Sequence, residues 1–259
     1  MGIYKILKTA ILSLFFIVTV FSCKPKKAQN ENLLLSKKNQ LKKAFRYPNY
    51  LNKNYILGKF DYMNSNNFVI VPKDLSNKKI YIRKEVLVAF LKMQTAAKED
   101  GISFKIISGT RSFAHQKRIW DYKWNSKYKD LPPLERVQKI LLFSAMPTTS
   151  RHHWGTDIDL NNLTNSYFTK GKGLNEYNWL LKNASKFGFY QPYASKKEGR
   201  TGYEEEKWHW SYKPLSQLYL KYYNEHISIE DITGFDGSKY SKNLQIINKY
   251  VHGINSELK

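Results

Sequence analysis

Histidine and carboxylate side chains in two separate segments constrain the fold of this chain more than any other feature. The first segment runs from Ser150 to Asp159 with the sequence SRHHWGTDID, and the second runs from Glu206 to Trp210 with the sequence EKWHW. A hydrolytic zinc site needs two or three neutral imidazoles or carboxylates as ligands, and one more carboxylate that does not bind the metal. The two segments supply these groups only if the chain folds so that they meet.

The spacing within the first segment narrows the geometry and leaves two choices open. Gly155 allows a tight bend between His152 and a strand that carries Asp159. Asp157 and Asp159 lie two residues apart, so both would point to the same face of that strand. Spacing alone therefore chooses neither between the two aspartates nor between His152 and His153.

The second segment predicts a strand preceded by a bend. His209 would face opposite to Trp208 and Trp210, which would pack into the core or line a cleft. Glu206 lies three residues before His209 and would face the other way in an extended strand, so we expect it at a bend before the strand. The HExxH helix of thermolysin-like enzymes is absent from the sequence.

Hydrophobic periodicity predicts an α+β fold with helices on the outside. Short apolar or aromatic runs predict strands near 68–71, 80–82, 104–107, 156–160 and 208–212. Helical spacing predicts helices over 85–100, 134–145 and 176–187, with two more that begin after Ser112 and at Pro214. We expect the strands near residues 104, 157 and 210 to join in a central sheet.

The N-terminus predicts export. Lys5 and Lys8 precede an apolar run of about a dozen residues, shorter than the roughly 20 that span a bilayer, and Cys23 follows. This resembles a bacterial lipoprotein signal over residues 1–22, in which Cys23 becomes the lipidated first residue; the alternative is an uncleaved N-terminal anchor. Residues 23–45 are predicted to be a tether. We therefore expect a lipid-anchored protein of the cell envelope, on the periplasmic side.

Charge and cysteine content limit the possible partners. The formal net charge of +22 indicates a lysine-rich solvated surface first, and attraction to an acidic envelope polymer or lipid second. We expect no nucleic-acid partner, because an exported chain rarely meets nucleic acid. Cys23 is the only cysteine, so a lipidated mature chain has neither a disulfide nor a cysteine nucleophile.

The combined motifs resemble those of the VanY-type zinc D-alanyl-D-alanine carboxypeptidases over about residues 85–212. The matching pieces are SxHxxGxxxD from Ser150, ExWH from Glu206, SGTRS at 108–112 with Gln116, and GF at 188–189 with Tyr193 and TGY at 201–203. The combination is specific, whereas any one piece alone would be weak. The resemblance implies a compact α+β fold shared with the Hedgehog N-terminal domain, with a small antiparallel central sheet that carries the zinc site between flanking helices.

The resemblance also assigns the metal site. It implies one zinc ion bound by His152, Asp159 and His209, with Glu206 as the catalytic base. It implies that Arg111 stabilises the carbonyl oxygen as charge develops there, or binds the substrate carboxylate. A guanidinium suits either task, since it is permanently charged and bidentate.

Further positions either follow the family or depart from it. Ser150, Gln116 and Tyr193 map to substrate-contacting positions. Asp157 departs from the Ala or Ser that family members usually have, and it could add negative charge, bind a second cation or form a salt bridge. Pro192 replaces a frequently basic residue beside Tyr193.

These observations predict a catalytic domain over 46–225, with 226–259 as an extension of unknown role. The predicted activity is hydrolysis of peptidoglycan stem peptides by a monomer, with release of a terminal D-alanine. The same site could instead serve an L,D-carboxypeptidase or a cross-link endopeptidase. A basic cell-wall-binding lipoprotein without catalysis is the rival from a different class.

Overall fold

The computed structural model describes residues 30, 31, 34 and 46–259 of the chain. The predicted signal peptide (1–22), the lipidation site Cys23 and nearly all of the tether lie outside these residues. Within the described part, none of the helices combines the length and the apolar character that crossing a bilayer requires. Residues 49–259 belong to one compact unit, which contains every element named below.

Short strands and helices make up this unit. The strands are β1 (Phe68–Ile70), β2 (Tyr81–Arg83), β3 (Ile106–Ser108), β4 (Asp157–Leu160), β5 (Phe189–Tyr190) and β6 (His209–Tyr212). The α-helices are α1 (Lys53–Ile56), α2 (Lys84–Glu99), α3 (Phe113–Tyr122), α4 (Pro133–Ile140), α5 (Gly171–Asn183) and α6 (Lys213–His226). A π-helical turn, Lys123–Lys127, continues α3, and a 3-10 turn, Arg151–Trp154, precedes β4.

A four-stranded antiparallel sheet with the order β3-β4-β6-β5 positions the site. Its central pair aligns Asp157 with Ser211 and Asp159 with His209. A separate antiparallel pair joins β1 to β2. The predicted α+β fold and the predicted joining of three strands are therefore confirmed. The sequence did not predict β5, because two residues are too few to show a period.

Helix α2 shows how an apolar stripe builds the core. Val86, Phe90, Met93 and Ala97 recur at helical spacing and are all fully buried. They pack in one cluster with side chains of the central sheet such as Ile158. Burial of the Val, Phe and Met side chains contributes about 1.5–3 kcal/mol each to the stability of the fold. The predicted helix over 85–100 is confirmed to within one residue.

The predicted helix over 134–145 was too long, and the predicted strand over 104–107 began too early. Helix α4 ends at Ile140, and the carbonyl of Leu142 accepts a hydrogen bond from the Glu204 N–H (2.9 Å) instead of continuing the helix. The Phe104 N–H donates to the Gln94 side-chain oxygen (2.9 Å), and the strand begins two residues later. In both places a partner distant in sequence replaces the local hydrogen bond.

Residues 226–259, predicted as an extension, pack on the wall of the domain that carries Tyr193. The Asn255 N–H donates to the carbonyl of Pro192 (2.9 Å), and the Arg200 guanidinium donates to the carbonyl of Gly253 (3.1 Å). The tail thus forms hydrogen bonds with the segment that connects β5 with β6.

We expect Gly155→Ala to lower the free energy of unfolding by about 2 kcal/mol more than Gly171→Ala. Both glycines have positive φ, at 73° and 54°, so both substitutions carry the backbone cost of a left-handed residue. A Cβ at Gly155 would also lie 2.3 Å from the Phe68 ring, whereas a Cβ at Gly171 meets nothing within 4 Å. Urea unfolding of the two variants measures the difference. Equal losses would show that the bend at Gly155 is not tightly packed.

Candidate metal centre and active-site cleft

The pairing of β4 with β6 brings the two sequence motifs together. Asp159 lies directly opposite His209 in this pair. His152 lies in the 3-10 turn before β4, which ends at Gly155 in a left-handed conformation (φ 73°). The bend predicted at Gly155 thus turns the chain from His152 back into the strand that carries Asp159.

One ligand atom from each of His152, Asp159 and His209 lies within 4.8 Å of the other two. His152 Nε2 is 3.4 Å from Asp159 Oδ1, and His209 Nδ1 is 3.7 Å from the same oxygen. All three residues are at most 3% exposed. His152 Nε2 and Asp159 Oδ1 have no hydrogen-bond partner in the described part of the chain. Buried polar atoms rarely lack a partner, so these two atoms and the neighbouring His209 imidazole fit a bound divalent cation. Two imidazoles and a carboxylate are a donor set that suits zinc.

The outward nitrogen of each histidine is held by a hydrogen bond. His152 Nδ1 is 2.8 Å from the Gly109 carbonyl, and His209 Nε2 is 2.9 Å from Asp157 Oδ2. A proton on each outward nitrogen leaves the inward nitrogen free to bind a metal. Such contacts fix the tautomer and the ring orientation of metal ligands.

Asp157 lies outside the three-atom cluster and is fully buried in a polar network of its own. Its Oδ2 accepts hydrogen bonds from His209 and from Arg151 Nε (2.9 Å each). Its Oδ1 accepts from the hydroxyls of Ser211 (2.9 Å) and Thr156 (2.7 Å). The aspartate that departs from the family pattern is therefore both a salt-bridge partner of Arg151 and the group that orients His209.

Burial and neighbouring charges set the protonation of the two imidazoles. Burial, followed by the Arg111 guanidinium, lowers the pKa of His152 below its usual value. Burial opposes the charged form of His209 too, but its hydrogen bonds to Asp157 and Glu206 outweigh burial and raise its pKa to about 9. Without a metal ion the His209 ring is a cation at neutral pH, so metal binding displaces a proton from it.

Glu206 lies at the bend before β6, as the sequence predicts. Its N–H donates to the Tyr193 carbonyl (2.9 Å), and its own carbonyl accepts from the Gln191 side chain (3.0 Å) and from the His209 N–H (3.2 Å). Glu206 Oε2 is 3.1 Å from His209 Nδ1. Burial raises the pKa of Glu206, and the contact with His209 partly opposes this. The backbone is therefore fixed, and the carboxylate stands beside the cluster without belonging to it.

Arg111 binds the second oxygen of Asp159. Its Nη2 is 2.9 Å from Asp159 Oδ2, its Nη1 donates to Gln116 Oε1 (3.1 Å), and its Nε donates to Ser108 Oγ (3.2 Å). The Gln116 amide nitrogen donates to the Ala145 carbonyl (2.8 Å), so both ends of this buried side chain contact protein groups. A guanidinium has five N–H donors, and these contacts use three of them. The remaining two are available to a substrate oxygen.

The cluster opens into a cleft of about 810 Å³. Ser150, Tyr193 and Arg111 line this cleft, whereas Gln116 is fully buried behind its wall. The Tyr193 ring meets the His209 ring edge-on, with centroids 4.9 Å apart. The roles predicted for these residues in substrate binding stay predictions, and the arrangement makes Gln116 a positioning residue for Arg111.

Two histidines outside the cluster line or support the cleft. His153 is buried, with Nδ1 2.7 Å from the Arg111 carbonyl and Nε2 accepting from the Thr148 N–H (3.1 Å). Burial lowers its pKa to about 3, so the ring is neutral and joins two loops. His115, on α3, is half-buried and lines the cleft. Its helical position alone gave no signal of this.

Comparison with known proteins agrees with the motifs. Residues 79–215 match the family model for VanY, D-alanyl-D-alanine carboxypeptidase. The chain belongs to this family. The family resemblance predicted from the motifs is thereby confirmed.

Individual VanY-family relatives match over part of their length. The chain is 35% identical to the Bacillus subtilis (strain 168) protein YodJ over 142 residues, which cover 52% of this chain and 47% of that protein. It is 29% identical over 137 residues to a D-alanyl-D-alanine carboxypeptidase of Enterococcus faecalis, covering 52% and 49%. The chain spans about half the length of the curated relatives it matches. A solved structure of the LdcB LD-carboxypeptidase is 26% identical with a TM-score of 0.48, covering 75% of this chain and 78% of LdcB.

Proposed function

We propose that this protein is a zinc-dependent carboxypeptidase that releases the terminal D-alanine from peptidoglycan stem peptides ending in D-Ala-D-Ala. The convergence of His152, Asp159 and His209 beside the free carboxylate of Glu206 carries the proposal. Membership of the VanY family supports the choice of substrate. The same membership supports a location in the cell envelope, where peptidoglycan is found.

Different residues of the cleft have different roles in the proposed hydrolysis. When bound by the three ligands, zinc supplies a Lewis acid that polarises the scissile carbonyl and lowers the pKa of a water molecule. Glu206 is the base that accepts the proton of the attacking water and then donates it to the leaving amine. Arg111 directs its free N–H donors at the developing carbonyl charge or at the terminal carboxylate. The buried setting strengthens each of these electrostatic contacts.

The proposal includes the cellular placement predicted from the N-terminus. The protein is anchored by lipid on Cys23 and acts as a monomer on the periplasmic side. Mass spectrometry of the mature N-terminus tests the anchor, and an unmodified chain that begins at Met1 would overturn that part without affecting the enzymatic assignment.

The activity is tested by incubating the purified protein with pentapeptide muropeptides and analysing the products by mass spectrometry. We expect the loss of one alanine, the loss of activity with a chelator, and its return with added zinc. Products shortened from tetrapeptides, or cleaved cross-links, would instead indicate L,D-carboxypeptidase or endopeptidase activity. A protein that takes up no zinc and releases no product would contradict the proposal and leave the non-catalytic wall-binding alternative.

A further inference from the structure

The cleft that contains the metal cluster is also lined by lysine side chains from three separate stretches of the chain. Two precede β2, two lie in the π-helical turn after α3, and one lies in α4: Lys78, Lys79, Lys123, Lys127 and Lys139. Their convergence on one cleft is a property of the fold, since Lys79 and Lys123 are distant in sequence.

These five lysines share the cleft with few carboxylates. Among the described residues that line the cleft, the only acidic ones are Asp159, which belongs to the metal cluster, and Glu206, which lies beside it. None of the five lysines forms an ion pair with a carboxylate in the described part of the chain. The described residues that line the cleft therefore carry more positive than negative charge.

Lys123 shows that this charge extends towards the metal centre. Its side chain is half-buried, and its Nζ donates to the Ser144 hydroxyl. Burial, and then the charge of Lys127, lower the pKa of Lys123, while Glu206 opposes this and Arg111 adds to it. A half-buried ammonium beside other cations is electrostatically unfavourable, and an anionic ligand would relieve that cost.

The proposed reaction indicates which part of the substrate these lysines would meet. A carboxypeptidase releases one terminal residue, so most of its peptide substrate lies on the N-terminal side of the scissile bond. That part of the peptide would occupy most of the cleft. The free donors of Arg111 are available to the terminal carboxylate or the scissile carbonyl. Under the proposed function, the lysines of the cleft would therefore meet substrate residues on the N-terminal side of the scissile bond.

We propose that this lysine-lined part of the cleft binds carboxylates on the residues preceding the scissile bond, so that the enzyme prefers acidic peptides to their amidated counterparts. The inference rests on the proposed function for the direction of the substrate. Its chemistry is that of ammonium groups on a carboxylate, supplied by the half-buried Lys123 and by the four exposed lysines of the cleft.

The test compares peptides that end in D-Ala-D-Ala and carry either glutamate or glutamine at each of the three positions before this D-Ala-D-Ala terminus. We expect kcat/KM to be about tenfold higher for the acidic peptide of at least one pair, the magnitude of one charge-assisted contact. In the double variant Lys123→Gln with Lys127→Gln, the ratio within that pair should fall towards one. The preference in the wild-type protein should also weaken as salt rises.

A matched control removes the same charge outside the cleft. Lys92 and Lys182 are exposed on α2 and α5 and do not line the cleft. The double variant Lys92→Gln with Lys182→Gln should keep the wild-type ratio. Equal ratios for all pairs in the wild-type protein, or the same decrease in both double variants, would overturn the inference while leaving the carboxypeptidase proposal intact.

Binding separates this inference from the proposed function. Dissociation constants of the same peptides, measured with the Glu206→Gln variant loaded with zinc, do not depend on turnover. We expect the acidic peptide to bind about tenfold more tightly there as well. If the wild-type protein cleaves no peptide, the proposed function fails, and the binding preference or its absence still decides the role of the lysines.

Discussion

Glu206→Gln should reduce kcat on muropeptides by at least about 100-fold and leave one zinc ion bound per molecule. Glu206 stands 3.1 Å from His209 Nδ1 but is not one of the three residues of the metal cluster. Glutamine keeps the size of the side chain and the hydrogen bonds of the backbone at this bend. An amide cannot take a proton from water, so the base is lost while the ligands remain. Product analysis by chromatography, together with metal analysis, measures both effects.

The matched comparison is His209→Ala, which removes one of the three proposed ligands. We expect this variant to lose zinc and activity together, whereas Glu206→Gln loses activity alone. A Glu206→Gln protein with wild-type turnover would contradict the assigned base. A Glu206→Gln protein without zinc would show instead that Glu206 is a ligand.

The residues of the metal cluster could be predicted in part, because each of the two motifs is local. Alternation within a strand places Asp157 and Asp159 on one face whatever the rest of the chain does. The choice between them depends on which residue each one faces in the neighbouring strand. Asp159 faces His209 in the pair of β4 with β6, whereas Asp157 faces Ser211. This register is a tertiary property, so the residue pattern left the choice open and only the family resemblance selected Asp159.

The supports around the site could not be predicted, because they join segments distant in sequence. Gln116 holds Arg111 through its oxygen, and through its nitrogen it bonds to the carbonyl of Ala145. Asn255 holds the backbone beside Tyr193 from the far end of the chain. Helical spacing and turn residues carry no information about such contacts, which explains why the tail had no predicted role.

The same limit applies to charge. From composition, the lysines of a chain with a net charge of +22 are expected on a solvated surface. Lys92 and Lys127 are indistinguishable in that respect. Only the fold separates the exposed lysine on α2 from the one that lines the cleft.

Asp157→Ala should weaken zinc binding by about 10- to 100-fold and lower the free energy of unfolding by about 3–5 kcal/mol. The first effect follows from losing the carboxylate that holds His209 Nε2 at 2.9 Å and so orients Nδ1 towards the cluster. The second follows because Arg151, with a side chain only 3% exposed, would remain buried without its counter-charge. Zinc titration against a competing chelator and urea unfolding of the metal-free protein measure the two effects separately.

A double variant distinguishes orientation of the ligand from general destabilisation. In Asp157→Ala with Arg151→Met the buried cation is gone as well, so the free energy of unfolding should return towards the wild-type value. Zinc affinity should stay low, since no carboxylate then holds the His209 ring. Arg151→Met alone keeps the contact between Asp157 and His209, and should bind zinc more tightly than either variant that lacks Asp157. Wild-type zinc affinity in the double variant would show that Asp157 serves only to neutralise Arg151, and that packing alone fixes the third ligand.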